Sequence, residues 1–134
     1  MLFNAIDSAA SGVTVDRKWM DAVSDNIANM NDVTRTSDNA FQARYVVAQA
    51  NDYGSGTGGT SVAGIALGSA AGVVVQDPSN PLADAQGNVR RPDIDLSSQL
   101  TQLMMAQRSY QANIATVERA QEAYKAAIDV GRNA

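Results

Sequence analysis

Between Leu96 and Ile128, alternating steps of four and three residues land on Leu96, Leu100, Leu103, Gln107, Tyr110, Ile114, Val117, Gln121, Tyr124 and Ile128. Every position is apolar except the two glutamines, which makes a heptad seam of the kind that keeps one stripe of a helix against a partner helix. Asp95 is placed to cap the start, Pro92 lies just outside, and Gly131 sits where a C-terminal stop is expected. Such a helix runs about 55 Å and needs a partner along its seam. A second stripe, Ala9, Val13, Asp16, Met20, Val23 and Ile27, with Ile6 beside Val13, predicts a helix near the N-terminus. It is interrupted by Ser, Asp and Gly12, and Gly12 alone costs about 1 kcal/mol, so this helix gains order by docking on the C-terminal seam. The segment from Ala28 to Thr34 is rich in turn formers and ends it.

Phe41, Ala43, Tyr45 and Val47 alternate with Gln42, Arg44 and Val46, the pattern of a half-buried strand. Beyond it, a Gly-rich pair of short strands ending at Val73, Val74 and Val75 is expected. The fold class is therefore mainly α. Two long terminal helices pair as an antiparallel coiled coil in a discontinuous domain, residues 1–34 and 93–134, around a small Gly-rich module, residues 35–92, read as β.

Composition narrows the chemistry. The formal net charge is -4, which argues against nucleic acid, because phosphate binding needs clustered Lys and Arg. There is no cysteine and no histidine, which removes disulfides, His/Cys metal sites and His-based nucleophile systems. No run approaches about 18 apolar residues, so the chain is not expected to span a membrane. Met1 to Asp7 lacks the basic start and long apolar run of a cleavable signal.

Three middle segments imitate ligand sites. Gly54 to Gly59 spells G-x-G-x-x-G, with Asp77 further on, but Gly64, Gly68 and Gly72 follow where a pyrophosphate-receiving helix is required. That glycine spacing also imitates a small-xxx-small membrane helix, in a stretch too short to span. Asp84, Gln86, Asn88 and Asp95 fall on some oxygen positions of a calcium loop, yet Val89 stands where that loop needs Gly, and turn chemistry at Gln86-Gly87-Asn88 explains them better. No cofactor, metal or small-molecule substrate is expected.

Ser24, Asn26, Ile27, Ala28, Asn29 and Asn31 form a pattern that resembles the S-x-N-(I/L)-A-N-x-N signature of bacterial flagellar rod and hook proteins. The run from Asp77 to Asp95, with Asp77, Pro78, Pro81, Asp84, Gly87, Pro92 and Asp95 in place, resembles a segment of the proximal-rod members of that family, as does Arg108-Ser109-Tyr110-Gln111-Ala112-Asn113, where Gln111 replaces their acid. The resemblance implies a structural, non-enzymatic subunit of the flagellar basal body. It implies export without a cleaved signal by the flagellar type III apparatus and assembly into the periplasmic rod. Its partners would be copies of itself, other rod proteins and the protein at the MS-ring/rod junction. Ile6, Val13, Met20, Val23 and Ile27 would then pack against Leu96, Leu100, Leu103, Tyr110, Ile114, Val117, Tyr124 and Ile128 within and between subunits, while Asn26 and Asn29 hold the turn after the first helix. Two rival readings differ in outcome. A coiled-coil adaptor binding one helical partner predicts a discrete heterodimer or dimer, and a dinucleotide enzyme predicts thermal stabilisation by the cofactor.

Overall fold

Each terminal apolar pattern forms one helix. In the computed structural model, which describes residues 2–52, 54 and 58–132, α1 spans Leu2–Asn29 and α2 spans Leu96–Arg132. Asp95 caps α2 as expected: its Oδ2 accepts the Ser98 N–H at 2.7 Å, and its carbonyl accepts the Gln99 N–H. Gly131 does not stop the helix, which continues through it to Arg132. The two helices lie antiparallel, because Asn26 meets Gln99 while Asp16, ten residues earlier in α1, meets Asn113.

The middle segment folds into two antiparallel hairpins, β1 (Arg44–Asp52) with β2 (Gly58–Leu67), and β3 (Val73–Gln76) with β4 (Asn88–Arg91). β1 and β2 lie along α1, with Arg44 beside Asn26 and the Thr60 N–H donating to Ser11 Oγ. The expected strand is displaced and its faces are exchanged. It begins at Arg44 rather than Phe41, and Val46 and Ala48 turn toward Val15 and Trp19 while Tyr45 and Val47 are exposed. The cause is the neighbour: only one face of the hairpin meets a helix, and it is the face that carries Val46 and Ala48; the bulge at Val47/Ala48 adds Ala63 to β2 and leaves the alternation of β1 unchanged. No helix follows the G-x-G-x-x-G loop; Gly58 and Gly59 open β2, antiparallel to β1, so a phosphate-receiving βαβ turn is excluded. Residues 55–57 of that loop lie outside the described residues.

The second hairpin is held from the side. Thr34 exchanges both backbone hydrogen bonds with Arg90, whose guanidinium donates to the carbonyls of Ala71 and Thr36, and Val89 is fully buried. Gly72 turns into β3 at φ 53°, and a Cβ there would stand 2.2 Å from the Arg91 carbonyl oxygen. Gly72→Ala is therefore expected to destabilise the chain by about 2–4 kcal/mol, from left-handed strain plus overpacking, read as a lower urea midpoint.

Candidate assembly interface

Two parallel stripes run along α2. The one covered by α1 consists of Gln99, Ala106, Asn113 and Ala120, one heptad apart, with Gln102 and Ser109 between them; Gln99, Ala106 and Ala120 are buried. The facing stripe of α1 is Ala9, Gly12, Asp16, Trp19, Val23 and Asn26, in which Ala9, Asp16, Val23 and Asn26 are buried. Both seams keep three-four spacing but are built of small and polar residues. Gly12 permits the close crossing, since a Cβ there would meet the Asn113 amide nitrogen at 2.6 Å.

The apolar seam expected to receive α1 lies about a quarter-turn round α2 from the covered stripe. Leu103, Tyr110, Ile114 and Val117 are half-buried, whereas Leu96 (41% exposed), Leu100 (45%), Tyr124 (43%) and Ile128 (50%) face outward, joined by Met104 (52%). From Gln121 to Arg132 every residue is exposed within the chain. On α1, Val23 is buried while Ile6, Val13, Met20 and Ile27 are half-buried. The subunit thus leaves most of its largest apolar side chains at the edge of its own helix pair.

The seam is built of small side chains. A cleft of about 410 Å³, open to solvent, runs beside it between the helices and β2, lined by Ala5, Ala9, Gly12, Asp16, Asn113 and Thr116 among others. Alanine and glycine make fewer dispersion contacts than leucine, so this seam contributes less than a Leu-filled one of equal length.

Asn26 joins three elements. Its side-chain amide donates to the Arg44 carbonyl and to Gln99 Oε1, each at 3.0 Å, and its Oδ1 accepts the Arg44 N–H at 2.8 Å. The expectation that it holds the turn after the first helix is corrected: it fixes the start of β1 and the start of α2 to α1. Asn29 does act at the helix end, donating to the Asp25 carbonyl at 2.8 Å. Asn31 accepts from the Arg91 guanidinium, while Ser24 and Ala28 are exposed.

The Asp77–Asp95 run shapes the connection into α2. Asp77 accepts from Ser79 and Asn80, Pro92 is buried, and Pro78 and Pro81 are exposed turn residues. Asp84 serves the turn through Gly87 rather than a calcium ion: one oxygen accepts the Gln86 and Asn88 N–H groups and the other accepts the Thr36 hydroxyl. The Asn88 N–H is the main reason its carboxyl titrates below the ordinary value of 3.8, with burial opposing. A depressed folded pKa adds stability above 3.8 that disappears as pH falls through the folded value. Asp84→Asn is expected to melt lower than the native chain at neutral pH and to converge with it below that value in a pH series of melting curves. Among the described residues no group of three or more acidic side chains is arranged to hold a metal.

The predicted interface omits Gln99, Ala106, Asn113 and Ala120. Their signal is a seven-residue spacing of alanines and amides beside the apolar seam, outweighed because a hydrophobic pattern ranks the larger apolar residues higher.

The family model described as flagellar basal body rod FlgEFG protein C-terminal matches residues 85–130, the approach to α2 from Ala85 and most of that helix. The flagellar basal-body rod protein FlgC of Salmonella typhimurium strain LT2 is 38% identical over 114 residues, covering 84% of this chain and 85% of that protein; FlgC of Escherichia coli O157:H7 matches to the same extent. FlgC of Bacillus subtilis strain 168 is 28% identical over 147 residues, spanning 97% of this chain and 98% of its own length. With 38% identity over 84% of its length, the chain belongs to the FlgC family of flagellar basal-body rod proteins.

Proposed function

We propose that this chain is a proximal-rod subunit that polymerises through its terminal helices, residues 1–34 and 93–134, into the tubular drive shaft crossing the periplasm. The observation that carries this reading is the open apolar stripe of α2, which runs beside the stripe already covered by α1 and continues past it to Ile128. Exposed apolar surface of that length on a helix calls for protein partners. Copies of the chain and other rod proteins, including the one at the MS-ring/rod junction, cover it. Head-to-tail contacts that do not close on themselves generate a helical filament. The helix pair then completes a coiled coil within the assembly, and residues 35–92 form a small outer module.

The small and polar side chains between α1 and α2 suit a subunit that passes unfolded through the type III export apparatus, without a cleaved signal, and completes its order among neighbours. The test is Leu100→Asp, expressed in a flagellated strain lacking the native protein. The variant should be exported and fail to enter the rod. An intact rod and normal motility would refute the assignment of this stripe.

A further inference from the structure

Among the described residues the buried polar or charged side chains are Asp16 (5% exposed), Asn26 (0%) and Gln99 (3%), and all three stand on the contact between α1 and α2. Asn113 Nδ2 donates to Asp16 Oδ2 at 2.8 Å, and Asn26 Nδ2 donates to Gln99 Oε1 at 3.0 Å. With the Trp19 Nε1–H, which donates to Gln102 Oε1 at 3.5 Å, these make three cross-helix polar pairs, and the two shorter ones flank a stretch of seam formed by Trp19, Val23, Ala106 and Ser109. Polar pairs at such positions lower stability relative to apolar ones, and they specify register because sliding breaks them.

The alternatives here are concrete. A slip of one heptad moves α2 by about 10 Å and sets Asp16 opposite Ala106 or Ala120, which offer no donor. In one of those slips Asn26 also faces Ala106, and in the other it passes the beginning of α2. Rotation of α1 onto the apolar stripe presses the Asp16 carboxylate against Tyr110, Ile114 and Val117, where an unpaired charge is costly. The apolar stripe itself carries no such code, since its interruptions are only Gln107 and Gln121.

We propose that the Asp16–Asn113 and Asn26–Gln99 pairs are the specificity determinants of helix pairing: they select α1 of the same chain, in one antiparallel register, and keep it off the stripe that neighbours use. This inference rests on the rod-subunit reading for the use of that stripe, but not for the register itself. The pairs make the subunit's internal contact selective rather than strong, and they leave the strong surface unspent.

The test is a distance measurement on the free full-length chain. With no native cysteine, Asp7→Cys and Glu118→Cys carry spin labels at exposed positions of the two helices. The parent should give one narrow distance. Asp16→Leu and Asn113→Leu should each lower the melting temperature, whereas the double variant recovers it and gains a second distance population, displaced by a heptad slip or arising between copies. A double variant that keeps the single parental distance overturns the proposal, and so does a broad distribution in the parent. Should the double variant lose its helical circular dichroism, the exchange Asp16→Asn with Asn113→Asp decides. It preserves an amide–carboxylate pair and must preserve the single distance; scattering there also overturns the proposal. Rod incorporation plays no part in this readout, so refutation of the rod reading by Leu100→Asp leaves the register result standing.

Discussion

Leu100→Asp is expected to abolish rod incorporation while leaving the subunit folded and exported. Leu100 is 45% exposed within its own chain, so a carboxylate there stays hydrated in the free subunit and the α1–α2 seam on the neighbouring face is untouched. In the proposed rod a neighbouring subunit covers the same position. Losing the leucine forfeits about 1.5–3 kcal/mol of apolar burial, and desolvating an unpaired carboxylate adds several kcal/mol more. Together these exceed about 4 kcal/mol, roughly a thousandfold in the affinity of one subunit contact. Fractionation of purified basal bodies should show the variant absent from the rod and present in the exported pool, with motility lost. Ile114→Asp should act in the same direction. Because Ile114 is half-buried, that variant will also lower the melting temperature of the free chain, and Leu100→Asp will not. A protein that bound a single helical partner would instead show loss of one discrete complex, with rods unaffected.

Asn26→Leu is expected to have the largest effect on stability. The Asn26 side chain is fully buried and spends both amide hydrogens and its oxygen on three partners: the Arg44 carbonyl, the Arg44 N–H and Gln99 Oε1. Leucine satisfies none of them. Each buried group left without a partner costs about 1–3 kcal/mol, so the sum reaches at least about 3 kcal/mol, a large share of a normal folding free energy of roughly 5–15 kcal/mol. The melting temperature should fall by about 10 °C or more. The loss should be cooperative, since one residue anchors β1 and α2 together. Asn29→Ala is the control. That amide bonds only the Asp25 carbonyl one turn earlier in the same helix, at a half-buried site, and its removal should shift the melting temperature by a few degrees at most. Equal losses in the two variants would mean that the junction role given to Asn26 is wrong. The exposed ion pair between Asp25 and Arg44 beside it is too hydrated to compensate.

The difference between these two asparagines shows where sequence reasoning reaches and where it stops. Both belong to one short motif and both suit a turn by residue type. About one helical turn apart, they nonetheless meet different neighbours: Asn26 reaches α2 and the hairpin, while Asn29 bonds back along its own helix. Which edge meets which element is a tertiary fact. The strand after the motif repeats the lesson: alternation from Phe41 to Val47 was visible, but the face that turns inward is set by the position of Val15 and Trp19 on α1.

By itself the sequence determined the two helices and the Asp95 cap, because heptad spacing and side-chain capping are local properties. It also determined the turn chemistry at Asp84, and its motifs carried the family resemblance. Tertiary structure alone decided which stripe of each helix is used internally. Hydrophobic periodicity ranks stripes by the size of their apolar residues, whereas two helices settle where the backbones approach and polar groups find partners. Gly12 beside Asn113, alanines at 106 and 120, and the Asp16 and Asn26 hydrogen bonds provide that here, and the larger apolar stripe is left outside the pair.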